Sequence, residues 1–307
     1  MPDDSTGVAL AVDVGGTKVD AALVTHDGRL LAETTTRRPT GRGSSREQIA
    51  ASITDAAASA LAHLTADQHL VGIGIGAAGP VDLPRGAVSP LNLPNARALD
   101  VVGLLGRLAP DARVRLALDG TCIALAEHWL GVLAGCRTGL AMVVSTGIGG
   151  GFIANDQPVT GASGNAGHIG QIRIGPPDNA DPFSGTVEAI GSGTAAVAWA
   201  RAEGWPGASG EDLAAAYRAG DDIALRAVRR SADAVGRAIA TAATLFDLEA
   251  TAIAGGFVNV ADDYIDLVRV AAQRSAVLPY AKEVRIERSS LGGDGPLLGA
   301  AALILRG

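Results

Sequence analysis

The chain has 307 residues, of which 48% are apolar, and its formal net charge is −7. This length and apolar content are enough for two domains with buried cores or for one large domain. The negative charge and the lack of any run of lysine and arginine argue against a nucleic-acid partner. No uninterrupted stretch of about 18 apolar residues occurs, which argues against a membrane partner.

The N-terminal residues also argue against export. The segment MPDDSTG has no basic residue and does not resemble a signal peptide. The only two cysteines, Cys122 and Cys136, form no metal-type cluster. We therefore expect a reduced, cytoplasmic enzyme.

The chain opens with strands around a glycine turn. Residues 8–12 and 19–24 are apolar runs typical of buried strands, and a third strand is predicted near residues 29–36. The first turn contains Asp13 followed by Gly15-Gly16-Thr17-Lys18. Aspartate is a poor strand former, so its place at a strand end favours a role in holding Mg²⁺ or its water. A turn-capping aspartate is the alternative.

Helices and strands alternate in the next part of the chain. The spacing predicts a helix over 45–64, a strand over 71–75 that enters a small-residue turn, a helix over 100–108 and a strand over 114–118. Asp119 follows that last strand, and a helix is predicted over 121–133. A carboxylate at a strand end facing a cleft suits a general base. Capping of the following helix is the competing interpretation.

A second round starts with a strand over 140–144 and a glycine-rich hairpin. Ser145 and Thr146 precede four glycines within five residues. Glycine lets the backbone approach a ligand closely, and the hairpin N–H groups can cradle phosphate oxygens. A plain glycine turn is the alternative.

The remaining elements are mostly helical, and the whole pattern repeats. Helices are predicted over 187–203, 210–219, 221–245, 263–275 and 296–305, with strands over 250–254 and 284–288. Because both halves place a glycine turn after a first strand, we interpret the pattern βββαβα as an internal duplication. It predicts two α/β lobes facing each other across a cleft.

The order of these motifs resembles the ROK family of sugar kinases. It is carried by Asp13 to Lys18, Gly79-Pro80-Val81, Asp119, Ser145 to Gly151, Gly164 to Gln171 and Gly255-Gly256. The resemblance implies an α/β fold of the actin/hexokinase-like, or ribonuclease H-like, type, with duplicated βββαβα lobes and an interlobe cleft. We expect a small lobe over 1–118, with a C-terminal helix over 294–307 packing back on it, and a large lobe over 119–293.

The resemblance also implies ATP-dependent phosphorylation of a hexose or hexosamine, usually at the 6-hydroxyl. Asp119 would be the general base, and Mg²⁺ would bind near Asp13 together with ATP. Residues implied for ATP and its phosphates are Asp13, Gly15, Gly16, Thr17, Lys18, Thr146, Gly147, Gly149, Gly150, Gly255 and Gly256. Residues implied for the sugar are Gly79, Asn92, Asp119, His168 and Glu188. A homodimer is expected because dimers are common in the family.

The chain departs from the family pattern at several positions. Leu118 replaces an asparagine, His168 a glutamate and Gln171 a zinc-binding histidine. Asn179, Asp181 and Thr186 stand at three cysteine positions. Because a tetrahedral zinc site needs four good ligands, we predict no structural zinc.

With a histidine at position 168, the chain resembles the N-acetylmannosamine kinase branch of the family more than the glucokinases, in which glutamate is usual. Imidazole can donate as well as accept a hydrogen bond, which permits donation to an acetamide carbonyl. We therefore expect an N-acetylhexosamine kinase, with N-acetylmannosamine favoured. The alternatives are a glucose or mannose kinase and a catalytically inactive sugar-binding regulator. A DNA-binding repressor is disfavoured because the first strand begins near residue 8, without a preceding helix-turn-helix.

Overall fold

The structure, a computed structural model, describes residues 6–176, 178 and 181–307. No helix in that part of the chain is long and apolar enough to cross a membrane. The chain divides into two compact units. The first consists of Met1–Leu130, Val159–Ala166 and Gly293–Gly307, and the second of Gly131–Pro158 and Gly167–Gly292.

The helices and strands are numbered in chain order. Those of the first part of the chain are β1 Gly7–Val14, β2 Lys18–Thr25, β3 Thr36–Pro39, α1 Arg46–Leu61, β4 His69–Ala77, β5 Val81–Asp82, β6 Ala87–Val88, β7 Leu99–Asp100, α2 Val101–Gly106, β8 Arg113–Leu118 and α3 Asp119–Leu130. They are followed by β9 Gly139–Val144, β10 Ile148–Ala154, β11 Gln157–Pro158, α4 Val187–Gly191, α5 Gly193–Ala202, α6 Gly210–Arg218, α7 Asp222–Phe246, β12 Ala250–Ala254, α8 Tyr264–Ser275, α9 Pro279–Lys282, β13 Arg285–Arg288 and α10 Gly295–Leu305.

The first unit is built on a five-stranded sheet in the order β3-β2-β1-β4-β8. Strands β1, β2 and β3 are antiparallel, whereas β1, β4 and β8 run parallel. The C-terminal helix α10 packs on β1, β4 and α3. Two glycines permit this close packing: a Cβ at Gly74 would lie 1.8 Å from the Ala300 carbonyl oxygen, and one at Gly299 would lie 1.8 Å from the Cys122 carbonyl oxygen. The C-terminal helix is thus part of the first unit, which also includes α3.

The second unit repeats this sheet. Its order is β11-β10-β9-β12-β13, with β9, β10 and β11 antiparallel and β9, β12 and β13 parallel. The long helix α7 packs against α8, α4 and α5. The matching strand order and direction confirm the predicted duplication and the α/β, actin/hexokinase-like fold class.

Two predicted elements differ from the observed ones. The third strand lies at Thr36–Pro39 rather than near 29–36, because Thr34 closes a turn: its hydroxyl accepts from the Leu23 N–H at 2.9 Å and donates to the Leu31 carbonyl at 2.7 Å. The helix predicted over 187–203 is two helices, since Ser192 between them caps α5 by accepting from the Ala195 N–H.

Candidate active site

Three parallel strands of the first unit end at one edge of the sheet, and the carboxylates of Asp13 and Asp119 both lie at that edge. Asp13 lies near the end of β1, opposite Gly76 of β4, and Asp119 follows β8. A Cβ at Gly76 would lie 3.8 Å from Asp13 Oδ1 and 3.0 Å from Cys122 Sγ. The closer contact is with the Cys122 thiol of α3, so glycine on the middle strand lets α3 pack closely at the strand end where α/β sheets bind ligands.

The electrostatics of this edge are unusual. Burial raises the pKa of Asp13 from 3.8 to about 7, helped by the negative charges of Asp119 and Asp20 and opposed by Lys18. Burial, with the same two carboxylates Asp13 and Asp119 nearby, also raises the pKa of the Cys122 thiol well above its ordinary value. The edge therefore has an excess of negative charge that a cation would neutralise.

Asp119 is the first residue of α3. One of its carboxylate oxygens, Oδ1, accepts from the backbone N–H of Gly120 at 2.7 Å. This bond orients the carboxylate at the start of the helix. A carboxylate held in this way can accept a proton from an alcohol, which is the chemistry predicted for it.

The glycine turn between β1 and β2 is tightly braced. The Gly15 N–H donates to the Lys18 carbonyl at 3.0 Å, and the Thr40 hydroxyl donates to the Gly15 carbonyl at 2.9 Å. A Cβ at Gly16 would lie 1.9 Å from Asn92 Nδ2, so the Asn92 side chain packs directly on the turn. The structure thus brings Asn92, predicted as a sugar ligand, against the predicted phosphate turn.

The Lys18 side chain is paired with a neighbouring carboxylate. Its Nζ lies 3.1 Å from Asp20 Oδ2, and Arg37 makes two hydrogen bonds to the same carboxylate. Burial raises the pKa of Asp20, but the hydrogen bonds from Arg37 and Lys18 lower it more, so the net pKa lies below its ordinary value. This arrangement keeps the ammonium beside the turn.

The segment after β4, which includes Gly79, is held by the side-chain amide of Asn165, a residue outside the set predicted from the sequence. Asn165 Oδ1 accepts from the Val81 N–H and its Nδ2 donates to the Val81 carbonyl, both at 2.8 Å. An asparagine flanked by glycines, Gly164 and Gly167, was the available signal. Asn165 therefore fixes the backbone that follows Gly79.

In the second unit the glycine hairpin borders a cavity of about 640 Å³. Its lining comes from the hairpin, α5, α6 and the turn after β12: Ser145, Thr146, Gly193, Thr194, Val197, Ala208, Ser209, Gly210, Glu211, Ala214, Gly256, Phe257, Asn259 and Val260. This volume is typical of a cofactor-sized ligand. Thr146 and Gly256 were predicted for the nucleotide, whereas the contribution of α6 was not recognised.

The hairpin itself holds the other predicted phosphate residues. The Ser145 N–H donates to the Gly147 carbonyl at 2.9 Å, and Gly149 and Gly150 follow in β10. Gly255 has a φ of +105°, and a Cβ there would lie 2.3 Å from the Val144 carbonyl oxygen. Glycine is therefore required at position 255 for the turn after β12 to pack on β9.

Glu188 connects the hairpin to the segment that contains His168. Its Oε2 accepts from the Ile148 N–H at 2.7 Å, and its Oε1 accepts from the Gln171 side-chain amide at 3.1 Å. A Cβ at Gly147 would lie 2.6 Å from Glu188 Oε2, so any other residue there would displace the Glu188 carboxylate. His168 is exposed, and its imidazole makes no hydrogen bond within the described part of the chain.

The donor atoms at this edge of the first sheet are carboxylate oxygens. No group of three or more His, Cys, Asp or Glu side chains able to hold a metal occurs among residues 6–176, 178 and 181–307. Asn179, one of the former cysteine positions, lies outside those residues. Mg²⁺ is commonly held by one or two carboxylates together with substrate phosphates and water, and the half-buried Asp13 beside Asp119 provides such oxygens.

The ROK family model matches residues 9–306. An N-acetylmannosamine kinase of Shigella boydii is 32% identical over 298 residues, which are 96% of this chain and 97% of that relative. An N-acetyl-D-glucosamine kinase of Pectobacterium atrosepticum is 30% identical over 307 residues, with 95% and 97% covered. The structure of a ROK family glucokinase from Streptomyces griseus in complex with glucose and AMPPNP has a TM-score of 0.82, 28% identity, and coverage of 98% of this chain and 100% of that one.

Proposed function

The chain belongs to the ROK family, and on this basis we propose that it is an ATP-dependent sugar kinase that phosphorylates the 6-hydroxyl of an N-acetylhexosamine. The observation that carries the proposal is the pair of carboxylates, Asp13 and Asp119, beside Gly76 at one edge of the first sheet. Two carboxylates with different surroundings can take different roles, one binding a cation and the other a proton.

Asp119 is proposed as the general base. Its carboxylate takes the proton from the sugar hydroxyl as that oxygen bonds to the γ-phosphorus, and ADP leaves with the electrons of the broken bond. The Gly120 N–H, which donates to Asp119 Oδ1, keeps the carboxylate in place during the transfer. Catalysis of this kind depends on positioning and charge neutralisation more than on covalent chemistry.

Asp13 is proposed to hold Mg²⁺ together with the ATP phosphates. When bound, the metal would neutralise charge on the transferred phosphoryl group. The residues Gly15, Gly16, Thr17 and Lys18 are proposed to present backbone N–H groups and an ammonium to the phosphates. The excess negative charge around Asp13 supports this assignment.

The nucleotide is proposed to occupy the 640 Å³ cavity of the second unit. Thr146 with Gly147, Gly149 and Gly150 would contact its phosphates, while Gly255 and Gly256 would lie against the adenosine. A relative with an ATP analogue bound, the Streptomyces griseus glucokinase, supports ATP as the phosphate donor.

N-acetylmannosamine is the proposed sugar, and two observations support it. The Shigella boydii relative bears that name at 32% identity. The exposed imidazole of His168 has no hydrogen bond within the described residues, so it is available to donate to an acetamide carbonyl. N-acetylglucosamine is the second candidate, because the Pectobacterium atrosepticum relative bears that name. Gly79, Asn92 and Glu188 are proposed to contact the sugar hydroxyls.

Replacing the proposed base tests the mechanism. We expect Asp119→Asn to lower turnover by about 10²- to 10⁴-fold, the usual contribution of a general base, while Mg-ATP binding stays near that of the wild type. Asp111→Asn, at an exposed position of the same unit, is the matched control. Wild-type turnover in Asp119→Asn would exclude Asp119 as the base.

We also propose that the kinase is a cytoplasmic homodimer. The two cysteines form no disulfide, as expected in a reducing compartment. Apolar side chains of Leu245, Val277 and Leu278 are exposed around one groove of the second unit, and exposed apolar patches mark interaction surfaces. Light scattering of the wild type and of Val277→Glu tests the proposal, since a monomeric wild type would contradict it.

A further inference from the structure

The side chain of Gln171, three residues after His168, bonds to a group that also contacts the glycine hairpin, which consists of β9, β10 and the turn between them. Its amide donates to Glu188 Oε1 at 3.1 Å, and Glu188 Oε2 accepts the Ile148 N–H at 2.7 Å. The two oxygens of one carboxylate therefore join the Gln171 side chain to the first residue of β10. The sequence motifs do not predict these hydrogen bonds.

The backbone brings these two side chains together. Residues on either side of the intervening loop pair in antiparallel fashion: the Val187 N–H donates to the Ile172 carbonyl at 3.0 Å, and the Ile174 N–H donates to the Gly185 carbonyl at 2.9 Å. Arg173 reinforces the pairing by donating to the Pro182 and Ser184 carbonyls. This pairing places Gln171, just before the first paired segment, next to Glu188, just after the second.

The hairpin turn depends on the position of Glu188. A Cβ at Gly147 would lie 2.6 Å from Glu188 Oε2, so the carboxylate rests directly on the turn. A carboxylate offers about four acceptor positions, and two are used by Gln171 and Ile148. The remaining positions can accept from a ligand hydroxyl without breaking either bond.

We propose that Gln171 is a positioning residue. It orients Glu188 so that one carboxylate both holds the turn of the glycine hairpin and faces the sugar. This inference rests on the proposed function, in which Glu188 contacts the sugar and the hairpin contacts ATP. Without the amide, Glu188 rotates away from Ile148, and the turn loses a charge-assisted hydrogen bond.

The first test does not depend on activity. In Gln171→Leu, we expect the Ile148 amide to exchange its hydrogen for deuterium about tenfold faster or more, the size expected for losing a hydrogen bond to a charged group. Gln171 is exposed, so the substitution leaves the core intact. Gln157→Leu, at another exposed glutamine of the same unit, is the matched control and should exchange like the wild type.

A second variant separates orientation from simple packing. Gln171→Glu preserves shape but places a carboxylate against Glu188, so it should impair the hairpin more than Gln171→Leu does. A purely structural role would give the opposite order, since the isosteric side chain would be the milder change. In steady-state kinetics both variants should raise the KM for the sugar and for Mg-ATP together, whereas Gln157→Leu should change neither.

The outcomes are distinguishable. Unchanged exchange at Ile148 in both Gln171 variants overturns the positioning role, whether or not the protein is a kinase. If the wild type turns over none of the sugars, the proposed function is overturned. The exchange experiment still decides whether Gln171 holds Glu188. The inference is supported if the Ile148 amide exchanges faster in both variants and the effect is larger in Gln171→Glu than in Gln171→Leu.

Discussion

Neutralising Asp13 should stabilise the protein in the absence of metal. Burial and the nearby charges of Asp119 and Asp20 raise the pKa of Asp13 from 3.8 to about 7. The folded state therefore keeps a proton that the unfolded chain has already lost, and ionising Asp13 at neutral pH costs free energy of folding. Asp13→Asn removes this charge and keeps the shape of the side chain.

The magnitude follows from the size of the pKa change. Each pKa unit corresponds to about 1.4 kcal/mol. The rise of the Asp13 pKa from 3.8 to about 7 therefore sets an upper bound of about 4 kcal/mol on the free energy of folding that its ionisation costs. Because Asp13 is half-buried rather than fully enclosed, we expect Asp13→Asn to raise the free energy of unfolding by about 2 to 4 kcal/mol at pH 8. The raised pKa gives the sign: the wild type loses stability relative to the variant as pH rises from about 4 to about 7, and no further above that.

Urea unfolding in EDTA, from about pH 5 to pH 9 and followed by circular dichroism and tryptophan fluorescence, measures the difference. Asp55→Asn, at an exposed position of α1 in the same unit, is the control and should show no such pH dependence. A variant no more stable than the wild type at pH 8, or a difference that is the same at pH 5 and pH 8, would show that folding does not raise the pKa of Asp13.

Three further predictions concern the second unit. Gly255→Ala should destabilise the protein by about 1–3 kcal/mol, since φ is +105° and the new Cβ would meet the Val144 carbonyl. Gly256→Ala, where the nearest atom lies 4.0 Å away, should be close to wild type in the same thermal unfolding assay. Arg173→Met should lower the unfolding free energy by about 1–2 kcal/mol, as judged by urea titration, because two loop carbonyls lose their donor; equal stability would exclude a role for the guanidinium. A zinc chelator should leave the melting temperature unchanged, and a fall would reveal a structural metal.

Much of the fold could be predicted because the apolar pattern and the glycine turns recur in both halves. The strands around Asp13 and the glycine hairpin follow directly from buried runs interrupted by glycine. The third strand was misplaced because the hydroxyl of Thr34, rather than hydrophobicity, sets the turn before it. The break at Ser192 was missed for a similar reason, since a serine side chain caps the following helix within an apolar stretch.

The candidate site was less accessible to sequence reasoning. Asp13 and Asp119 could be singled out as carboxylates at strand ends, but their closeness depends on which strand lies between β1 and β8 and on Gly76 within it. The wall contributed by α6 and the bonds of Gln171 depend on contacts distant in sequence. No local periodicity encodes such contacts.

A coupled ADP-release assay with Mg-ATP and a panel of sugars tests whether the protein is an N-acetylhexosamine kinase. The panel comprises N-acetylmannosamine, N-acetylglucosamine, glucose, mannose, glucosamine, fructose and allose. We predict clear turnover on an N-acetylhexosamine, with N-acetylmannosamine preferred. Turnover on glucose alone would contradict the proposed role of His168, and no turnover on any sugar, with ATP still bound, would contradict the kinase assignment.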